Sequence, residues 1–171
     1  MSVTTSSIAT SGTDQVDVRG PRFAAWVTTG VLLAVLIASA VSTTGAAVIL
    51  GLQALVFAIG ALRGPRQHPY GKLFARFVAP RLGPVSEREP VQPLRFAQFV
   101  GLVFAAVGLI GFIAGAPLVG VIATAFALGA AFLNAAFGIC LGCQIYPLVS
   151  RLRPARETAE VPASTERIDV S

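Results

Sequence analysis

The chain has 171 residues, of which 54% are hydrophobic and only 12% are charged, with a formal net charge of +5. A soluble domain of this length could not bury so much apolar surface, so the composition excludes an ordinary soluble protein and indicates a membrane protein. The positive charge does not require a nucleic acid, because basic residues that flank membrane spans set orientation and contact lipid head groups. We therefore expect the lipid bilayer, and no nucleic acid, as a partner.

Two long runs, residues 23–62 and 96–150, contain no Asp, Glu, Lys, Arg or His. A helix needs about 20 apolar residues to cross the hydrocarbon core, so each run is long enough for two crossings. The turn-forming segments "STTG" and "AGAP" divide the runs. The sequence therefore predicts an all-α integral membrane protein with four transmembrane helices, at about 23–41, 46–62, 96–114 and 118–139.

The segments outside the predicted spans are polar. Residues 1–18 are rich in Ser and Thr, and residues 153–171 carry mixed charge, so we expect both to be disordered cytoplasmic tails. The intervening basic loop, residues 63–95, contains "GKLFARFVAP" at 71–80. Its apolar residues follow a helical period and Pro80 ends the pattern, which predicts a short amphipathic helix lying in the membrane interface.

The basic residues set the orientation. All 13 Lys and Arg residues lie before the first predicted span, in the 63–95 loop or after the fourth predicted span, and the two short hairpins carry none. Four spans place those three basic segments on one side of the membrane, which the positive-inside rule assigns to the cytoplasm. We therefore predict a multi-pass protein with both termini in the cytoplasm.

The two halves of the chain are weakly similar. The tripeptide Arg22-Phe23-Ala24 before the first span matches Arg95-Phe96-Ala97 before the third. The segments "LQALVFAIGA" and "LNAAFGICLG" align Gln53 with Asn134 and suggest two repeated helical hairpins. In this alignment nothing in the first half matches the cysteines. Amides in lipid need partners, so we expect Gln53, Gln98 and Asn134 to face other helices.

The segment "GICLGCQIYP" contains the only two cysteines, Cys140 and Cys143, at the predicted cytoplasmic end of the fourth span. Three residues apart on one helical face, they would lie about 5 to 6 Å apart, within reach of a disulfide. We identify the pair as candidate catalytic residues that carry redox chemistry or sulfur. Packing of two small apolar side chains is the plain alternative. A metal bound across a dimer is a further alternative, but a metal would want four ligands and His68 is the only histidine, so we predict neither a metal site nor a cofactor.

Other function classes are disfavoured. No carboxylate lies within a predicted span to serve as a buried acid or base, and His68 lies in a loop. This pattern disfavours a hydrolytic enzyme and a proton-coupled transporter. A membrane scaffold or a neutral-solute channel, in which the cysteines only pack, remains the alternative to a dithiol protein. Whether the protein is an enzyme stays open at this point.

Three segments, "DVRGPRFAAW", "LRFAQ" and "LNAAFGICLGCQIYPL", resemble the bacterial family called domain of unknown function 4395, over about residues 14–152. The resemblance implies a small protein of the bacterial cytoplasmic membrane without an established activity. Family members tend to be encoded near thioredoxin-like and sulfurtransferase proteins, which implies such a protein as exchange partner. We predict that the pair cycles between dithiol and disulfide, or carries a persulfide, with Cys143 attacking and Cys140 resolving.

Overall fold

The computed structural model describes residues 15–84 and 87–152. Four of its helices are long and apolar enough to cross a membrane, which confirms the predicted all-α membrane fold. In chain order the elements are β1 (Gln15–Asp17), α1 (Arg19–Ser39), α2 (Thr43–Arg63), α3 (Pro69–Leu73), β2 (Arg88–Pro90), α4 (Val91–Ile113), α5 (Pro117–Phe137) and α6 (Leu141–Leu152).

The four long helices form a four-helix bundle. α1 packs against α2 and α5, and α4 packs against the same two helices. Leu32, Leu50 and Phe57 from the first half meet Ala105 and Phe112 from the second in one apolar core. The outward faces carry large apolar side chains, as expected where the surrounding solvent is lipid.

The turns between the long helices follow from local chemistry. The Ser42 hydroxyl accepts a hydrogen bond from the Gly45 N–H at 3.1 Å and so caps the start of α2. Gly115, with φ of 75°, adopts the left-handed conformation in the second turn, and Pro117 occupies the first position of α5. The segments "STTG" and "AGAP" therefore contain the two turns.

β1 pairs with β2 in a short antiparallel ladder, with Gln15 opposite Pro90 and Asp17 opposite Arg88. Residues 15–18 belong to the predicted disordered tail, but the structure places them in this ladder and at the start of α1. Pairing with the 63–95 loop supplies backbone partners that the sequence pattern did not reveal. Residues 1–14 and 153–171, the rest of the two predicted tails, lie outside the described residues.

The predicted amphipathic segment is helical, beginning with α3 and continuing through a π-helical turn at Phe74–Val78 and a 3₁₀ turn at Ala79–Arg81. Its apolar residues do not share one surface. Phe74 is buried against Phe23 of α1, with ring centroids 5.7 Å apart, whereas Leu73 and Phe77 are exposed. The segment thus docks on the bundle through Phe74.

The fourth span ends earlier than the pattern predicts. α5 stops at Phe137, and Gly138 follows in the left-handed conformation with φ of 70°. A separate helix, α6, then begins at Leu141. Glycine at this position costs no Cβ strain, which explains why the chain breaks here despite its apolar character.

Each half contains two long helices followed by a shorter one. The guanidinium of Arg95, at the start of α4, donates to the carbonyl oxygens of Ala61 and Leu62 at the end of α2, at 3.0 and 2.8 Å. The guanidinium of Arg22, at the start of α1, lies 3.5 Å from the corresponding carbonyl oxygens at the end of α5, those of Ala135 and Ala136. Each half therefore caps the second helix of the other.

This geometry corrects the sequence alignment of the second helices. Gly64 after α2 and Gly138 after α5 both have positive φ and occupy equivalent positions. Gln53 lies in the middle of α2, whereas Asn134 lies in the last turn of α5, so the two amides are not equivalent. The short helices correspond instead. His68 immediately precedes α3 and Cys140 immediately precedes α6, although the two lie at different distances from Gly64 and Gly138.

Candidate functional site

The cysteine pair forms the start of α6. Cys140 immediately precedes the helix, and its carbonyl oxygen accepts a hydrogen bond from the Gln144 N–H at 3.0 Å. The Cys140 Sγ accepts one from the Cys143 N–H at 3.3 Å. The two sulfur atoms are joined in a disulfide, and the Cα atoms lie 5.1 Å apart. Cys140 therefore occupies the N-cap position, and the pair does not extend the face of a continuous fourth span as we had predicted.

α6 is held against α4 by a close backbone contact. A Cβ atom at Gly142 would lie 2.6 Å from the Cα of Ala97, a distance that real Cβ atoms do not adopt. Beyond this contact, the rings of Phe96 and Tyr146 meet with centroids 6.0 Å apart. Glycine between the two cysteines therefore lets the pair lie directly on the end of α4.

Cys140 lines a cavity of about 320 Å³ between α1, α4, α5 and α6. Aromatic and aliphatic side chains make up most of its wall, including Phe57, Phe104 and Phe126. Two carboxamides, those of Gln98 and Asn134, also line it, and none of the described lining residues is charged. The disulfide thus borders an apolar space with neutral hydrogen-bonding groups.

A second cavity, of about 400 Å³, lies beside α3 and is lined by His68 and again by Gln98. The His68 side chain is 3% exposed, and neither ring nitrogen has a hydrogen-bond partner among the described residues. Tyr70 meets the imidazole edge-on with ring centroids 5.3 Å apart, and its hydroxyl donates to Gln53 Oε1 at 2.8 Å. A polar cluster, in which Gln53 and His68 are buried and Tyr70 and Gln98 are half-buried, therefore joins α2, α3 and α4.

Gly60 creates the room for this cluster. A Cβ atom there would lie 2.6 Å from His68 Cδ2 and 2.9 Å from Gln98 Cγ. Burial lowers the pKa of His68 to about 4, and the adjacent Gln98 side chain acts in the opposite direction. The imidazole is therefore neutral at physiological pH, because water cannot reach the ring to stabilise its charged form.

The lowered pKa of His68 predicts acid sensitivity. The unfolded chain binds a proton near pH 6.5 and the folded chain only near pH 4, so this contribution to stability is complete above 6.5 and falls as pH drops toward 4. At pH 5 the loss is about 2 kcal/mol. This loss of stability is measured as the difference in melting temperature between pH 7.5 and pH 5, in thermal unfolding of the protein in detergent.

The control is His68→Gln, which should show a smaller fall in melting temperature between the two pH values. Asp17 and Arg66 line the same cavity, and Tyr70 contacts the ring, so these ionisable groups remain identical in both proteins. An equal fall in both proteins would show that the His68 proton does not matter to stability.

The structure brings together part of what the sequence singled out. Cys140 and Cys143 are adjacent, and Gln98 and Asn134 lie on the cavity wall beside them. His68 belongs to the other cavity, and Gln98 lines both. Among residues 15–84 and 87–152, no cluster of three or more His, Cys, Asp or Glu side chains could hold a metal ion. The His68 cluster went unrecognised; its only sequence signal was the presence of amides within apolar spans.

The bundle and its disulfide-bearing sixth helix define a class: a small multi-pass membrane protein with a Cys-x-x-Cys pair where a short helix docks on the bundle. The chain belongs to the family described as "Domain of unknown function (DUF4395)", whose match extends over residues 16–151. No curated protein and no solved structure matches the chain.

Proposed function

We propose that this membrane protein exchanges thiols and disulfides, or transfers sulfur, through Cys140 and Cys143 at the cytoplasmic face of the bacterial cytoplasmic membrane. The observation that carries the proposal is the adjacency of the two sulfur atoms at the first turn of α6. A structural disulfide facing the reducing cytoplasm would be unusual, whereas a reversible one is a common use of such a pair there.

The start of α6 favours one order of attack. A thiolate at Cys140 accepts the Cys143 N–H bond and lies at the positive end of the helix, and both effects stabilise negative charge on sulfur. We therefore propose that Cys140 attacks and Cys143 resolves, the reverse of the order predicted from the sequence. That order rested on a continuous helix in which Cys143 was further from the membrane.

The exchange proceeds through a mixed disulfide. The Cys140 thiolate attacks a partner disulfide, forms one S–S bond and releases one partner thiolate. The Cys143 thiolate then attacks Cys140, closes the Cys140–Cys143 disulfide and releases the second partner thiolate. Two electrons pass to the partner, which ends as a dithiol, and the reverse sequence reduces this protein. We propose a thioredoxin-like or sulfurtransferase protein as the partner.

The orientation is supported by the charges near the pair. The N-terminus of α1, the 63–95 loop and α6 lie at one end of the bundle, because β1 pairs with β2 and Arg22 reaches the end of α5. This end carries the basic residues of the described chain. The positive-inside rule places it in the cytoplasm, within reach of soluble thiol proteins.

A trapped mixed disulfide tests the proposal. Cys143→Ser leaves Cys140 without its resolving partner, so membranes quenched with an alkylating reagent should contain a disulfide-linked adduct on Cys140 that a reductant removes. We expect at least about tenfold less adduct in Cys140→Ser, because the remaining Cys143 lies one turn inside the helix. Non-reducing electrophoresis followed by mass spectrometry of the cysteine peptides measures both.

The matched control is the Cys140→Ser/Cys143→Ser double variant, which should form no adduct. An impermeant maleimide applied to reduced inside-out vesicles should label the wild-type pair, and right-side-out vesicles should stay unlabelled. If neither cysteine is labelled in either preparation, the pair is buried packing and the proposal fails. More adduct in Cys140→Ser would restore the order predicted from the sequence.

A further inference from the structure

The cavity beside Cys140 extends from the disulfide into the membrane part of the bundle. Its far wall is formed by Phe57 of α2, Phe104 of α4 and Phe126 of α5, all within helices long enough to span the bilayer. Cys140, Gly142 and Ile145 form the wall at the other end. An occupant would therefore be in contact with both the bundle interior and Cys140.

The chemistry of the wall restricts the occupant. None of the described lining residues is charged, so an ionic occupant would lose its hydration without an opposite charge nearby. The polar groups include two carboxamides, and each carboxamide can both donate and accept a hydrogen bond. Gln98 and Asn134 supply these carboxamides, and Thr28 adds a hydroxyl group to the same wall.

We propose that this cavity binds a quinone of the membrane, which accepts the electrons of the Cys140–Cys143 dithiol. A quinone is neutral and largely apolar, and its carbonyl oxygens accept from amide N–H groups. Its reduced form, the quinol, carries hydroxyl groups that donate to carboxamide oxygens. Amides at Gln98 and Asn134 therefore suit both redox states without any change of charge. The inference rests on the proposed function and names its electron acceptor.

The step balances with the dithiol as the reductant. The Cys140 and Cys143 thiols lose two electrons and two protons as the S–S bond forms. The quinone gains both electrons and both protons and leaves as the quinol. A dithiol partner protein then reduces the disulfide by exchange and becomes a disulfide itself. The net reaction transfers two electrons from a cytoplasmic dithiol to the quinone in the membrane.

The second cavity is less suited to this role. It has similar size, but Asp17 and Arg66 line it and no cysteine does. A quinone seated there would be separated from the sulfur atoms by wall residues that the two cavities share, namely Pro21, Leu94 and Gln98. We therefore assign the quinone to the cysteine cavity.

A single-turnover experiment tests the assignment. The full chain in lipid nanodiscs is reduced, freed of reductant and mixed without oxygen with duroquinone, whose fully methylated ring cannot add a thiol. We expect about one quinol per chain, seen as loss of quinone absorbance, and none from the Cys140→Ala/Cys143→Ala variant. Ala130→Phe, which fills the cavity, should slow the reaction by at least about tenfold, because the quinone cannot approach the sulfur atoms.

The matched control is Ala125→Phe, the same change on an exposed position of α5, which should react as the wild type does. Exchange of the disulfide with a soluble dithiol should be unchanged in Ala130→Phe. Equal quinone reduction by Ala130→Phe and the wild type would place the reaction elsewhere and overturn the assignment. If the disulfide exchanges with the dithiol but no quinol forms, the quinone inference fails and the proposed function stands. If the pair reacts with neither, both fail.

Discussion

Gly111→Leu is expected to destabilise the bundle by about 3 kcal/mol, because a side chain at this position has no space. A Cβ atom there would lie 2.7 Å from the backbone nitrogen of Gly120 and 3.2 Å from the carbonyl oxygen of Ala116. Both obstacles are backbone atoms of the same hairpin, so rotation of a neighbouring side chain cannot relieve the clash. Circular dichroism during thermal unfolding in detergent measures the loss as a lower melting temperature.

A graded series separates crowding from helix propensity. Gly111→Ala adds only the Cβ atom and should still destabilise, although alanine in a helix interior is intrinsically better than glycine by about 1 kcal/mol. Gly129→Ala, in α5, meets nothing within 4 Å and should be neutral or stabilising. If Gly111→Ala melts with or above Gly129→Ala, the close approach of α4 and α5 is not required for stability.

Charge and hydropathy predicted the four spans because transfer into lipid depends on local composition. The absence of charge from 23–62 and 96–150 excludes an aqueous location for most of those residues. The helix ends depend on finer causes. Gly138 adopts φ of 70° and ends α5, but a glycine within an apolar run equally well continues a helix, so the break had no clear sequence signal.

The predicted alignment of the two halves agrees with the structure at the helix starts and not in the second helices. The Arg-Phe-Ala matches at Arg22 and Arg95 correspond to the same structural role. Each guanidinium donates to carbonyl oxygens at the end of a helix in the other half. In the second helices, Gln53 and Asn134 align by residue type only. Low-complexity apolar segments match in several registers, and the equivalence of Gly64 with Gly138 follows from their positions directly after α2 and α5.

The proximity of the two cysteines was predictable, and their position relative to α6 was not. Spacing alone indicated that Cys140 and Cys143 could bond, and the structure joins them. Their positions relative to α6 depend on the break at Gly138, which also brings Gln98 and Asn134 to the same cavity. The His68 cluster depends on Gly60, because a side chain there would occupy the space of His68 and Gln98. The sequence does not reveal this, since it depends on how α2, α3 and α4 pack together.

Gly142→Leu is expected to free the cysteine pair from α4 while leaving the bundle folded. The Leu Cβ would lie 2.6 Å from the Cα of Ala97, so the first turn of α6 must move away. The contact joins α6 to α4 and is not among the contacts between the four long helices, so we expect the melting temperature of the bundle to fall by only a few degrees. The reduced pair should react with an impermeant maleimide about tenfold faster, because local opening of the helix start exposes the sulfur atoms.

Gln144→Leu is the matched control for this variant, since Gln144 is exposed two residues further along α6 and should alter neither rate nor stability. Gly142→Leu should also slow quinone reduction, because a displaced α6 no longer closes the cavity beside Cys140. Faster alkylation together with slower quinone reduction would show that quinone reduction needs the closed cavity as well as exposed thiols. If exposure of the thiols were sufficient, Gly142→Leu would raise both rates. Unchanged alkylation would show that α6 does not need its contact with Ala97 to shield the pair.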